Sequence, residues 1–357
     1  MEPQAHSRMK IHPEFAYNGV QLSEENWSAF IQNRLNDSQE WERHFLEFMA
    51  LWIDDDDCVE VQTSGSSGMP SKWKVPKSAM IASAQLTANY FNCKEGTSAL
   101  LCLPGSFIAG KMMLVRAMTL GWKLTALKPS ATPFETLREP FDFAAFTPMQ
   151  LASLKYEDIQ LLARFGAVII GGAAIPELVR LKLANACSNL FETYGMAETL
   201  SHIAVRRLST EEIPFHTFDG IQLKVDSSGR LQIGAPHIQQ EFIQTNDIVE
   251  LIGPSAFFYK GRFDRMINSG GIKLQAEVIE QKLQAHLDVP FTIASIGDEV
   301  LGQKVVLYVE SRVPVNRKEL FRTMALHLDR YEVPKEIRVV EKLERTESGK
   351  IKIIKSK

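Results

Sequence analysis

The sequence predicts an α/β architecture in two domains: a large layered α/β domain that ends in a β-rich subdomain, then a small α+β domain. Three observations carry this expectation. The chain has 357 residues, 45% of them hydrophobic, enough for a substantial core and long enough that two domains are expected rather than one. Between residues 97 and 200 short apolar runs alternate with amphipathic stretches in the order of an α/β sheet. Beyond residue 220 the texture changes to short alternating strands separated by turn residues.

In chain order, residues 99–103 form a continuous apolar run and read as a buried strand, followed by a helix over 111–119 and a strand over 123–127. Residues 143–146 read as the next strand, with Thr147 and Pro148 opening a helix. Residues 167–170 run as a strand into Gly171 and Gly172, and Pro176 opens a helix to about residue 186. Ligands in such sheets gather at the carboxyl ends of the strands, where Gly171, Gly172 and the Thr193-Tyr194-Gly195 turn fall. Strands are expected over 221–225 and 231–233, joined by the turn at residues 226–229. After Gly261 come a loop, a helix over 275–287, strands near 291–296 and 304–309, a helix near 317–328 and a strand near 336–340.

Composition excludes several function classes. A formal net charge of -3 gives no long-range attraction for nucleic acid or an anionic membrane. Cys58, Cys93, Cys102 and Cys187 are scattered without a C-x-x-C pair, so neither a disulfide framework nor a zinc site is suggested, and a reducing cytoplasm fits. No signal peptide or membrane span is expected, since the amino terminus lacks an apolar segment and Lys111 and Arg116 interrupt the most hydrophobic region. The acidic run at residues 54–57 reads as a solvated loop rather than a metal site.

The stretch Thr63-Ser64-Gly65-Ser66-Ser67-Gly68-Met69-Pro70-Ser71-Lys72 suits a loop that closes around a polyphosphate. Glycines let backbone N–H groups turn toward an anion, hydroxyls donate to phosphate oxygens, and a lysine adds a mobile positive charge. It is not the G-x-x-x-x-G-K-[ST] phosphate loop, which would need glycine at Pro70. Taken alone, the stretch is equally a solvated linker.

Four further segments follow in fixed order: Thr193-Tyr194-Gly195-Met196-Ala197-Glu198-Thr199, Thr245-Asn246-Asp247, Gly261-Arg262-Phe263-Asp264-Arg265 and Arg345-Thr346-Glu347-Ser348-Gly349-Lys350. With these five segments the chain resembles the adenylate-forming superfamily of acyl-CoA ligases, nonribosomal adenylation domains and luciferases, from about residue 60 onward. The resemblance implies the adenylate-forming enzyme fold, with an AMP- and acyl-binding domain over 1–263 and a mobile carboxyl-terminal domain over 264–357. It implies ATP, Mg²⁺ and coenzyme A as co-substrates. By the same resemblance Thr63, Ser64, Gly65, Ser66, Ser67, Gly68 and Lys72 surround the phosphates, and Thr63 also takes part in catalysis. Gly171, Gly172 and Ala173 wall the adenine pocket, while Thr193, Tyr194, Gly195 and Met196 contact the α-phosphate and the base. Asp247 and Arg262 hold the ribose, Glu198 binds the metal, and Asp264 is the hinge. Lys350 enters the site for adenylation, although on local grounds it belongs to a solvated basic tail. Gly270, Gly271 and Lys273 are expected at the CoA.

Thr199-Leu200-Ser201-His202-Ile203 and Asn268-Ser269-Gly270-Gly271-Ile272-Lys273 are most similar to the o-succinylbenzoate:CoA ligases of menaquinone biosynthesis. That likeness implies a small aromatic carboxylate as substrate, with Phe107, Gly110, Ser201 and His202 lining its pocket and Arg116 meeting its distal carboxylate. By periodicity alone Arg116 would be a snorkelling helix residue. Two departures stand out. Phe107 occupies the place where many relatives carry a histidine, and the portion before the Ser/Gly loop is much shorter, which leaves open how the large domain is covered and suggests a homodimer through an exposed face. Another acyl-CoA ligase, a stand-alone enzyme that loads a carrier protein, and a non-catalytic nucleotide binder are the competing readings.

Overall fold

The computed structural model describes residues 11–62, 72–345, 351, 352 and 354. Its centre is a run of parallel strands, Lys123–Ala126, Ser98–Leu101, Phe143–Phe146, Ala167–Ile170 and Leu190–Gly195, adjacent in that order. Strands covered on both faces are apolar throughout rather than alternating. Their two faces nevertheless feed separate cores. Ala99, Leu101, Phe143, Ala145 and Ile169 pack on one side with the helices Lys77–Phe91 and Ile108–Leu120. Leu100, Ala144, Phe146, Val168 and Ile170 pack on the other, beneath Pro148–Ala152, Tyr156–Leu162 and Glu177–Ala184. Thr147 caps the first of these with a capping box, its hydroxyl accepting from Gln150 N while Gln150 Oε1 accepts from Thr147 N.

The β-rich stretch expected after residue 220 is continuous with this sheet rather than separate from it. His202–Arg207 pairs antiparallel to Leu190–Gly195, and Phe215–Thr217, Ala256–Arg262, Ile243–Leu251, Arg230–Gly234 and Gln222–Val225 extend the same sheet outward. A second, five-stranded sheet joins Ile272–Gln275, Met266–Ser269, Gly302–Glu310, Phe291–Asp298 and Glu336–Val340 around its own core of Ile267, Ile279, Leu307 and Met324. Its first hairpin turns at Gly270 and Gly271, both with positive φ (59° and 81°), the backbone a two-residue hairpin loop requires.

The amino-terminal residues answer how the parallel sheet is covered. The hairpin Ala16–Tyr17 and Val20–Gln21 adds to the edge at Lys123–Ala126, and the helices Trp27–Asp37 and Glu40–Trp52 fold over it. Phe15, Tyr17, Trp27, Phe45, Met49 and Trp52 are fully buried in the core shared with Ile108–Leu120. Phe45 lies so close over Gly105 that a β-carbon there would fall 2.4 Å from its ring. The acidic run is not wholly solvated either, because Asp54 Oδ1 accepts from the fully buried Lys77 Nζ at 2.7 Å.

Removing a buried aromatic loses both its transfer free energy and the packing around the cavity left behind. Phe45→Ala is therefore expected to destabilise the large domain by about 3–5 kcal/mol. Urea unfolding followed by tryptophan fluorescence checks this, and a midpoint unchanged from the unsubstituted chain would show that the amino-terminal cover adds no stability.

Candidate active site

The carboxyl ends of the central strands meet at close quarters, and glycine makes that possible. A β-carbon on Gly171 would sit 2.5 Å from Thr193 Oγ1, and one on Gly195 would sit 2.4 Å from Ser201 O and 2.5 Å from His202 Cα. Thr193 is held in place by donating to Ile170 O at 3.1 Å. Gly172 has φ +87°, and both it and Ala173 are exposed at this edge.

Between Gly195 and the returning strand His202–Arg207 the backbone is tightly knotted. Thr199, fully buried, accepts from Met196 N (2.9 Å), and its hydroxyl lies 2.7 Å from Ser201 O and 3.0 Å from Met196 O as acceptors. Ser201 N donates to Thr199 O at 2.7 Å, closing a γ-turn centred on Leu200, which has φ 61° and ψ -38°. A non-glycine residue held there costs on the order of 1–3 kcal/mol, offset by burial of its side chain to 1% exposure in the main core. The knot leaves Glu198 exposed, with no ion pair among the described residues, and turns Ser201 and His202 inward.

Inward lies Arg116, on the helix Ile108–Leu120 and only 2% exposed. Its Nη2 donates to Ser201 Oγ (2.7 Å) and to Thr87 Oγ1 (3.2 Å), and its Nη1 touches only Met113 Sδ at 3.8 Å. Nε has no hydrogen-bond partner among the described residues. Among the described residues no carboxylate pairs with this guanidinium, so burial pushes its pKa down to about 10, still far above neutrality, and the group keeps its charge. His202 completes a ring, with Nδ1 3.1 Å from Ser201 Oγ and Nε2 3.4 Å from Thr87 Oγ1. Burial first, and Arg116 second, hold its pKa well below the usual histidine range, which keeps the imidazole neutral. Gly110, on the same helix, packs where a β-carbon would meet Pro104 O at 2.4 Å, and Phe107 is half-buried at its start.

A second cluster joins three strands further along the sheet. Tyr194 Oη donates to Asp247 Oδ2 at 2.6 Å, and its ring is buried against Phe257, Phe215 and Tyr259. Desolvation and the Asp247 charge drive the phenol pKa up. Asp247 stands opposite Arg262 in register, their charged atoms 3.6 Å apart. Arg262 gives its forked donors to Asp264, Nε to Oδ1 at 2.8 Å and Nη2 to Oδ2 at 2.7 Å. That pairing, above all, raises the Arg262 pKa. Asp264 lies in the short turn Phe263–Arg265 between the two sheets. Lys273 is exposed on the hairpin beyond, next to Gly270 and Gly271.

Thr63 to Ser71, with the whole Ser/Gly segment, and Lys350 lie outside the described residues; Lys72 opens the strand Lys72–Pro76, paired with Cys58–Gln62. The structure thus gathers Arg116, Ser201 and His202 into one cluster and Tyr194, Asp247, Arg262 and Asp264 into another. It adds Thr87, which the sequence reading missed. A hydroxyl four residues after Ser83 on the helix face lined by Ala84 and Ala88 was the available signal. A cleft of about 730 Å³, lined by Tyr90, Cys93, Lys94, Asp142 and Arg207, opens at the amino ends of the same strands; position at the carboxyl ends decides for the clusters above.

Comparison with known proteins bears on the family and the fold. A family profile described as AMP-binding enzyme matches residues 13–236. A solved structure from Dyadobacter fermentans DSM 18053, described as an acyl-CoA synthetase (AMP-forming)/AMP-acid ligase II-like protein, is 33% identical, aligns over 90% of this chain and 95% of that one, and has a TM-score of 0.61. A probable 2-succinylbenzoate–CoA ligase of Mycobacterium tuberculosis (strain CDC 1551 / Oshkosh) is 28% identical over 84% of this chain and 83% of its own length. The o-succinylbenzoate CoA synthetase of Bacillus subtilis, solved with the acyl-adenylate intermediate, shares the fold at 19% identity and a TM-score of 0.70, over 82% of this chain and 67% of that one.

A buried charge without a counter-charge opposes folding, and replacing it with an apolar residue of similar volume is neutral or stabilising. Arg116→Met leaves Ser201 and Thr87 each bonded to His202, so it is expected to raise stability by about 1–3 kcal/mol. Urea unfolding of the two chains checks the sign; a marked loss would mean that the guanidinium is a net stabiliser.

Proposed function

The chain belongs to the AMP-binding enzyme family, and from that premise we propose that it is an acyl-CoA ligase acting on an aromatic acid with a second carboxylate, most closely 2-succinylbenzoate. The substrate carboxylate attacks the α-phosphate of ATP, forming acyl-AMP and releasing pyrophosphate. The thiol of CoA then attacks the acyl carbon, the thioester forms and AMP leaves.

The observation that carries this reading is Arg116, a buried guanidinium with unused donors and no carboxylate partner among the described residues. An isolated charge is retained in a core when a ligand supplies its partner. The name of the Mycobacterium tuberculosis relative points to the same dicarboxylate. Ser201 and Thr87 hold the guanidinium from one side and leave Nε and Nη1 for the ligand.

The remaining roles follow from chemistry and position. Glu198, exposed at the carboxyl edge of the sheet, offers a hard oxygen donor that fits Mg²⁺. That ion neutralises charge on the nucleotide phosphates. Asp247, bonded by Tyr194, and Arg262 opposite it serve as acceptor and donor for the ribose hydroxyls. Thr63, Ser64, Gly65, Ser66, Ser67, Gly68 and Lys72 bind the phosphates, and Lys350 donates to the charge that develops as pyrophosphate leaves. Asp264, between the two sheets, is the hinge about which residues 264–357 swing, bringing Gly270, Gly271 and Lys273 toward CoA for the second step.

The deciding assay is ATP- and CoA-dependent thioester formation with 2-succinylbenzoate, beside benzoate and a medium-chain fatty acid. Thioester from 2-succinylbenzoate at a kcat/KM at least tenfold above the others is expected, and Arg116→Lys should lose most of that preference because the fork is lost. Equal rates on all three acids would overturn the dicarboxylate reading. Lys350→Ala should slow acyl-adenylate formation by roughly 10²-fold or more while sparing thioester formation from supplied acyl-AMP. Equal loss of both half-reactions would remove Lys350 from the adenylation step.

A further inference from the structure

The ring formed by Thr87, Arg116, Ser201 and His202 constrains its own protons. Arg116 Nη2 has two hydrogens and uses both, one on Ser201 Oγ and one on Thr87 Oγ1. Thr87 Oγ1 also lies 3.3 Å from Ser83 O, which can only accept, so the threonine proton goes there. The His202 Nε2 that faces Thr87 must then carry a hydrogen and donate. Nδ1 is left bare and accepts from the Ser201 hydroxyl. Arg116 Nη2, Thr87 Oγ1, Ser201 Oγ and both His202 nitrogens are all satisfied in this arrangement, and among these groups only Arg116 Nε and Nη1 keep hydrogens to spare. In the other tautomer Nδ1–H donates to Ser201, and the proton of this half-buried serine has no acceptor among the described residues, so the ring closes with one bond fewer.

We propose that Thr87 is a positioning residue for acyl recognition: its hydroxyl fixes His202 as the Nε2–H tautomer and locks the Arg116 plane, and this lock sets the preference for an acid bearing a second carboxylate. The inference rests on the acyl-pocket reading above and extends it to a residue on a different helix. With Nη2 tied at both hydrogens the guanidinium cannot turn about its own axis, so Nε–H and Nη1–H keep one direction toward the ligand. Without the Thr87 hydroxyl, the guanidinium keeps Ser201 alone and rotates, and His202 loses its acceptor. The hydroxyl never meets the reacting carboxylate, so its removal affects binding of the distal carboxylate rather than the chemical step.

The test compares Thr87→Val, which keeps the shape and removes the hydroxyl, with Thr87→Ser, which keeps the hydroxyl. In the full-length chain labelled with ¹⁵N-histidine, His202 signals are assigned by difference against His202→Gln. The unsubstituted protein and Thr87→Ser are expected to show a protonated Nε2 and a bare Nδ1, and Thr87→Val to shift toward Nδ1–H. Thr87→Val should raise KM for 2-succinylbenzoate about tenfold or more, the scale for a hydrogen bond to a charged group. Its kcat, its KM for ATP and its KM for benzoate should stay within about twofold, and Thr87→Ser should restore the preference. A protonated Nδ1 in the unsubstituted protein overturns the proposal, as does an unchanged ratio of KM values in Thr87→Val. Equal damage to all substrates in both variants overturns it too, since that is a packing effect. If the unsubstituted enzyme does not prefer 2-succinylbenzoate, the acyl-pocket reading has failed, and the tautomer alone then judges the role of Thr87.

Discussion

A guanidinium that is 2% exposed and, among the described residues, has no carboxylate beside it must be held by dipoles, and three elements packed around Arg116 satisfy that constraint. The helix Lys77–Phe91 supplies Thr87, the knot after Gly195 supplies Ser201, and the strand His202–Arg207 begins with a neutral imidazole. Hydroxyl oxygens solvate the charge without cancelling it. A carboxylate in the same place would give a more stable protein, and would leave nothing for a ligand to pair with.

Charges elsewhere in the chain are treated differently. Glu192 accepts from both Arg180 and Arg206 at 2.9 and 2.7 Å, and Arg265 meets Glu280 at 2.5 Å. Those pairs join neighbouring elements and carry their own counter-charges. The Leu200 turn belongs with Arg116 instead, because backbone strain and an uncompensated charge both oppose folding and both lie within a few residues of the proposed substrate. Strain of this kind persists where surrounding contacts over-determine it, and here the Thr199 hydroxyl and the buried Leu200 side chain do so.

The amino-terminal aromatics make the rest possible. Phe45 packs on Gly105, directly before the helix that carries Gly110 and Arg116. Through Trp52, Met49 and Phe45 the helix Glu40–Trp52 fixes the position of Ile108–Leu120 in the main core. An anchor that depends on distances near 3 Å requires such a support, because a close-packed interior transmits a displacement rather than absorbing it.

The sequence by itself determined the alternation of the central sheet. Residues 143–146 and 167–170 were legible as strands because a strand buried on both faces is a short apolar run with no other good assignment. It determined the ordered motifs and, through them, which residues to examine as a candidate site, since glycine turns and their flanking polar residues are local signals. Residues 16–52 were not legible, because their helices bury aromatics on a face that only a partner surface defines. The tertiary structure alone decided that the β-rich stretch continues the main sheet, since strand order depends on pairings between residues far apart in the chain. It alone brought Thr87 to Arg116, 29 residues on, and Arg116 to Ser201, 85 residues on. Hydrogen bonds over such separations leave no periodic trace in sequence, because each depends on how whole elements pack rather than on the residues beside it.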